Sequence, residues 1–279
     1  DSEKITVVII SDRLQPLSAA IGSILMHSTA PLQIYIIAYE AGELQATLTR
    51  TLPLKLGQSL EVLAMDAVTA QLVQTSFEPV WVWDEYGEST GSGAEAWRTK
   101  HTVQQEMWDH DLMHASPFNH LRFYLPHLPF LANLENLLFL DDDVILQKDI
   151  ALLASVKLPE GTVLAAPCDT WVWGNGCSHF EFVPDAKDWR NNSAVLYLNP
   201  AWRTCGSPEE CGIAEYEERI QHMARKIHGT EIALEEQPVW NFGAVLVSGS
   251  EWLRLNMTGV YHEWLRENYE RRLWREDSL

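Results

Sequence analysis

The chain has 279 residues, 46% of them hydrophobic, which is enough for one sizeable core and too apolar for a disordered acidic tail. Twenty Lys and Arg against 39 Asp and Glu leave a formal net charge of −19, a field that repels nucleic acid and anionic membrane surfaces and argues against both as partners. No run of about twenty apolar residues occurs and no signal peptide opens the chain, so any membrane attachment is expected from a segment outside it.

In chain order, Ile5 to Ile10 is a continuous β-rich run ending in Ser11-Asp12-Arg13, and small and apolar residues recur at helical spacing from Leu17 to Met26. Leu32 to Ala38 reads as a second strand, Glu43 to Leu54 as a second helix, and Leu60 to Ala64 as a third short strand before Met65-Asp66. Strand alternating with helix predicts an α/β fold with a Rossmann-like, mostly parallel sheet flanked by helices and right-handed crossovers. No basic residue stands between Lys55 and Arg98, and the acidic, glycine-rich stretch over 84–96 reads as a flexible loop at the rim. Its flanking Trp81, Trp83 and Trp97 suit either sugar stacking or anchorage to the core. Ser116-Pro117 then opens a helix that carries Asn119 and, one turn on, Arg122.

Leu137 to Leu146, Leu-Leu-Phe-Leu-Asp-Asp-Asp-Val-Ile-Leu, is the stretch that carries chemistry. Four apolar residues make a buried strand, and three carboxylates follow where it should surface, at the edge at which open α/β sheets bind ligands. Extended geometry would turn Asp141 and Asp143 to one side and Asp142 to the other. Two converging carboxylates suit Mg²⁺ or Mn²⁺ with substrate phosphates; the competing reading is a solvated acidic turn. Arg122 precedes this strand by a short connection and would supply a fixed cation.

Beyond Asp149 the pattern gives a short helix, a strand over Thr162 to Ala166, and an irregular aromatic region from Asp169 to Asp188. Next come a strand over Val195 to Leu198, a charged helix over Glu215 to Ile227, and a buried strand after the turn-like Val239-Trp240-Asn241. Closing helices run from Trp252 and from Val260 to Trp274. The sequons Asn191-Asn192-Ser193 and Asn256-Met257-Thr258, with an even cysteine count (Cys168, Cys177, Cys205, Cys211), suit an oxidising lumen, with Cys205 and Cys211 the nearer pair. His27, His101, His110 and His179 have no metal-ligand spacing with the acids.

Three ordered blocks give the chain a resemblance to glycosyltransferase family eight, and within it to plant-type galacturonosyltransferases. They are Ser116-Pro117-Phe118-Asn119-His120-Leu121-Arg122-Phe123-Tyr124-Leu125-Pro126, the run from Leu137 through Asp141-Asp142-Asp143 to Asp149, and Trp240-Asn241-Phe242-Gly243 on to Trp252 and Asn256-Met257-Thr258-Gly259-Val260-Tyr261-His262. The resemblance implies a GT-A fold and a retaining transferase that moves a hexosyl or hexuronosyl group from a UDP-sugar to an oligo- or polysaccharide acceptor with Mn²⁺ (or Mg²⁺). It implies Asp141 and Asp143 as metal ligands, Asp142 near the ribose, Arg122 on the nucleotide-sugar, Ser11 and Asp12 at the base, and Asn241 with Gly243 facing the donor sugar. It further implies a Golgi lumenal enzyme, either a type II membrane protein or its excised domain.

Two departures accompany the match. Arg13 stands where plant relatives commonly carry asparagine, and nothing after Gly243 matches the family's His-x-x-Gly-x-x-Lys-Pro-Trp block. A single domain over 1–279 lacking that closing segment is therefore expected. No carboxylate is singled out as a nucleophile, so front-face transfer and double displacement stay open. Two rival readings stand beside the transferase: a catalytically silent, glycan-binding partner domain, and a haloacid-dehalogenase-type phosphohydrolase with Asp141 as nucleophile.

Overall fold

The computed structural model describes residues 4–80, 117–132, 134–167, 218, 221–222, 224–226, 229–230 and 242–271, with side chains to residue 266. The expected acidic loop over 84–96, the irregular region 169–188, the strand over 195–198, all four cysteines and Asn241 lie outside the described residues. The chain divides into two compact units, the first comprising Asp1–Pro79, Leu121–Pro167 and Asn241–Thr258 and the second Val80–His120, Cys168–Trp240 and Gly259–Leu279.

The first unit is built on a six-stranded sheet: β1 (Ile5–Ile10), β2 (Leu32–Ala38), β3 (Gln58–Ala64), β4 (Asn136–Leu140), β5 (Leu164–Ala165) and β6 (Ala244–Ser248), in the order β3-β2-β1-β4-β6-β5. β1 pairs in parallel with β2 and β4, and β2 with β3. β6 runs antiparallel to both β4 and β5, so it alone opposes the others. The mostly parallel α/β expectation holds, and the reversed strand is new.

Helices α1 (Leu14–His27), α2 (Ala41–Thr51) and α3 (Met65–Leu72) follow the first three strands. α1 forms because its buried Leu17, Ala20, Ile21, Ile24 and Leu25 recur at three- and four-residue steps, giving one apolar stripe. That stripe packs with Val7, Ile9, Ile34, Ile36, Leu138 and Leu246 into one core. Each fully buried aliphatic side chain contributes about 1.5–3 kcal/mol relative to exposure. α3 was not foreseen, although Met65, Val68, Thr69 and Leu72 carry the same periodicity. It starts straight from β3 with no capping side chain, so nothing in the sequence punctuates its start.

Three short helices, α4 (Pro117–Leu121), α5 (Ile150–Ala154) and α6 (Gly249–Arg254), a 3-10 turn at Leu125–His127 and a longer helix, α7 (Met257–Arg271), follow. α5 is capped by Asp149, whose carboxylate accepts from the Ala151 N–H at 2.9 Å, and α6 by Ser248, which accepts from the Glu251 N–H. Arg122 lies in the turn just past α4 and not within the helix, a correction to its expected place. A buried hub holds the connection before β4 to α6 and the start of α7. Thr258 Oγ1 donates to the Phe123 carbonyl at 2.7 Å and accepts from Trp252 Nε1 at 2.9 Å, with His127 Nε2 at 2.9 Å. A hydroxyl has one proton and indole only donates, so His127 must present its Nε2–H to the remaining lone pair. In the second unit the buried His120 Nδ1 and Tyr261 hydroxyl share a hydrogen bond.

Candidate functional site

The strand order reverses at β1 and β4, because β2 and β3 lie on one side of β1 and β4 on the other. Beyond the carboxyl ends of two such strands an open sheet leaves a crevice, and ligands bind there. The chain places Ser11-Asp12-Arg13 at the tip of β1 and Asp141-Asp142-Asp143 at the tip of β4. The parallel register of Val8 with Phe139, carried three residues onward, sets Ser11 against Asp142, and their side chains hydrogen-bond.

The acids do not continue the strand's alternation as expected. β4 ends at Leu140; the Asp141 N–H still reaches the Gly243 carbonyl at 2.8 Å, after which a turn closes with the Val144 N–H on the Asp141 carbonyl at 3.3 Å. Three successive aspartates thereby enter three environments. Asp142 is buried, and both its oxygens are occupied: Arg13 grips it in a fork through Nε, at 2.8 Å, and Nη2, while the Ser11 hydroxyl donates to Oδ2. Asp143 is 68% exposed and meets Arg13 Nη2 at 3.5 Å. Asp141 is partly buried, and no side chain among the described residues donates a hydrogen bond to it.

These placements fix the electrostatics. Burial pushes the Asp141 carboxyl above the usual carboxylate range; Arg122 opposes the shift, and the neighbouring Asp143 and Asp142 reinforce it. The hydrogen bond to Asp142 raises Arg13 further above its ordinary value, so its cation is permanent. Asp12 is also raised, chiefly by burial, although it accepts the Tyr39 N–H at 2.8 Å. Arg122 stacks its guanidinium 5.0 Å from the centre of the Phe139 ring, on the strand that ends in the acids.

Of the expected site residues, Ser11, Asp12, Arg122, Asp141, Asp142, Asp143 and Gly243 belong to the first unit, and Gly243 reaches the acids because β6 is antiparallel to β4. Asp142 is committed to Arg13 and Ser11, where the ribose had been expected. Arg13 had been noted only as a departure; a lone arginine at one strand tip facing three acids at another is the signal that could have found the pair. Among the described residues no group of three or more His, Cys, Asp or Glu side chains is placed to hold a metal ion. A divalent hard cation nonetheless fits a pair of carboxylates, because it fills its other positions with water and substrate oxygens. Asp141, to which no described side chain donates a hydrogen bond, and the exposed Asp143 are the two acids of the cluster outside the Arg13 fork.

Comparison with known proteins adds the family. The chain is 28% identical over 166 residues to "Probable galacturonosyltransferase 10" of Arabidopsis thaliana, a match covering 60% of this chain and 23% of that protein. It is 31% identical over 166 residues to "Probable galacturonosyltransferase 4" of the same plant, covering 60% and 20%. The match thus spans less than a quarter of either relative's length. Among solved structures, the galactosyltransferase LgtC bound to donor and acceptor sugar analogues superposes with a TM-score of 0.50 at 13% identity, covering 98% of this chain and 69% of that one. The bifunctional glycosyltransferase WbbM gives 0.50 at 14% identity, covering 98% and 38%. Those likenesses establish the GT-A fold, and the sequence profile of glycosyl transferase family 8 matches residues 4–279. The chain belongs to glycosyl transferase family 8.

Proposed function

We propose that this domain is a retaining glycosyltransferase that moves a hexosyl or hexuronosyl group from a UDP-sugar to a glycan acceptor, with Mn²⁺ or Mg²⁺ held by Asp141 and Asp143. The observation that carries this reading is the division of labour among the three acids. Asp142 is neutralised by Arg13, which leaves Asp141 and Asp143 as the carboxylates available to a ligand at the sheet's switch point. Membership of the family agrees with it. The two plant relatives are named for galacturonosyl transfer, which supports a hexuronosyl donor, and a homogalacturonan acceptor would have to overcome the field of a chain at −19.

A bound divalent cation would neutralise the charge that develops on the departing diphosphate. The protein's own groups do the rest. Asp141 and Asp143 would hold that cation, Arg122 would add a fixed positive charge that acts on Asp141, and Asp12 with Ser11 would serve the base. Asn241 and Gly243 would face the donor sugar in this scheme. A Golgi lumenal setting, with membrane attachment through a segment other than this chain, belongs to the same proposal; no helix among the described residues is long and apolar enough to cross a membrane. Family membership leaves the phosphohydrolase reading without support.

A second reading, a catalytically silent partner domain, is favoured by one fact: the described residues offer two carboxylates to a cation and no third ligand. Calorimetric titration of UDP with and without Mn²⁺ separates the two. The transferase reading expects UDP affinity that requires Mn²⁺ and is lost in Asp143→Ala with the fold intact. Equal UDP affinity with and without the metal, or retained sugar transfer in Asp143→Ala, overturns it.

A further inference from the structure

Arg13 is the residue at this site that the proposed function does not absorb. Its side chain is 57% exposed, yet its guanidinium is held at three points. The backbone N–H of Arg13 donates to Ser11 Oγ at 2.9 Å, which fixes the start of the side chain. Nε and Nη2 form a fork on Asp142, and the same Nη2 stands 3.5 Å from Asp143 Oδ2. The fork is a charge-assisted, two-point contact to a buried carboxylate, the strong form of such a pair. The contact to Asp143 is long and solvent-exposed, hence weak. Arg13 is thus anchored on one aspartate and leans on the next.

We propose that Arg13 is an internal counter-ion that competes with the divalent cation for Asp143, so that the metal affinity of the site is set by a salt bridge within the chain. The inference rests on the proposed function's assignment of Asp141 and Asp143 as the metal-holding pair. A cation arriving at Asp143 meets a resident positive charge one contact away, and Arg13 cannot swing clear because the buried Asp142 would then lose both its fork and its charge partner. The guanidinium also pre-neutralises part of the acid cluster, which keeps three adjacent carboxylates compatible with a folded strand tip before any cation arrives. Coupling of this kind is reciprocal: the cation weakens the Arg13–Asp143 contact by as much as that contact weakens the cation.

The test is Mn²⁺ binding to the whole chain, with no nucleotide, followed by calorimetry in the native protein and in Arg13→Gln, Arg13→Lys and Asp141→Asn. Removing a unit charge next to a site for a dication raises affinity on the order of tenfold at low salt, with the gain shrinking as ionic strength rises. Arg13→Gln, which keeps a donor for Asp142, should therefore bind Mn²⁺ about tenfold more tightly. Arg13→Lys, which keeps the charge and loses the fork, should stay within about twofold of the native protein. A purely structural arginine would instead lower affinity in both variants. Because Arg13→Gln could unfold, the native protein provides an independent measure: on titration with Mg²⁺, the side-chain N–H resonances of Arg13 should shift along the same saturation curve as binding. Unchanged or weaker Mn²⁺ binding in folded Arg13→Gln, or Arg13 resonances indifferent to Mg²⁺, overturns the inference while Asp141→Asn still abolishes binding. Absence of Mn²⁺ binding in the native protein overturns the metal assignment itself.

Discussion

Replacing Thr258 by valine tests the buried hub that ties the segment before β4 to α6 and α7. Valine has nearly the shape of threonine, so no cavity forms and only the hydroxyl is lost. Thr258 is fully buried, and its oxygen serves Trp252 Nε1 at 2.9 Å, the Phe123 carbonyl at 2.7 Å and His127 Nε2 at 2.9 Å. A buried group left without a partner costs about 1–3 kcal/mol. Trp252 is itself buried, so its indole N–H has no water to turn to, whereas the half-buried His127 recovers part of its loss. The sum is about 3–5 kcal/mol, a large share of the ~5–15 kcal/mol that holds a domain together. Urea denaturation followed by tryptophan fluorescence reads it directly: with a slope of about 2 kcal/mol/M, the midpoint should fall by about 1.5–2.5 M. Thr258→Ser keeps the hydroxyl and loses one methyl, and should cost about 1 kcal/mol. A Thr258→Val midpoint no lower than that of Thr258→Ser would refute the hub.

Gly249→Ala should destabilise by about 1–3 kcal/mol in the same denaturation assay, because an added Cβ would stand 2.7 Å from the Leu134 carbonyl oxygen, a backbone atom that cannot rotate aside; an unchanged midpoint would mean the α6–β4 approach is looser than described. Burial lowers the pKa of His127 below 6.5, so the unfolded chain binds the proton first; the stability tied to neutral His127 is full above about pH 6.5 and is lost as pH falls through the depressed value. The fall in Tm from pH 7 to pH 5 should therefore be shallower in His127→Gln than in the native protein. At Asp141 burial penalises the ionised carboxylate, so Asp141→Asn should raise the Tm of the metal-free chain at neutral pH while abolishing Mn²⁺-dependent UDP affinity; a lower Tm would mean the carboxylate is stabilised by contacts at the rim.

The first half of the sheet is legible because β1 and β2 are rich in β-branched and apolar residues and α1 carries clean periodicity: Leu32 to Ala38 is expected as a strand and is found as β2 over the same residues. The direction of β6 was not legible. A short apolar run reads alike in either orientation, and only its pairing, Leu140 with Ala244, shows the reversal. The acids were found as a cluster, but their division among buried, ion-paired and available states depends on a partner about 130 positions earlier, Arg13 meeting Asp142, which no local pattern encodes. Helix α3 was missed for want of a boundary residue, and Arg122 was placed on a helix that ends one residue before it.

Because β5 runs with the parallel strands and β6 against them, the chain leaves the sheet after Ala165 and re-enters it at Ala244 along one and the same border, the border that bears the aspartates. Two points of the chain are thereby tied to the same sheet border, one through Ala165 paired with Leu246 and the other through Ala244 paired with Leu140. Loosening β6 from β4 would therefore disturb two things at once: the Gly243 carbonyl that holds the Asp141 N–H, and the point at which the chain returns beside the acids.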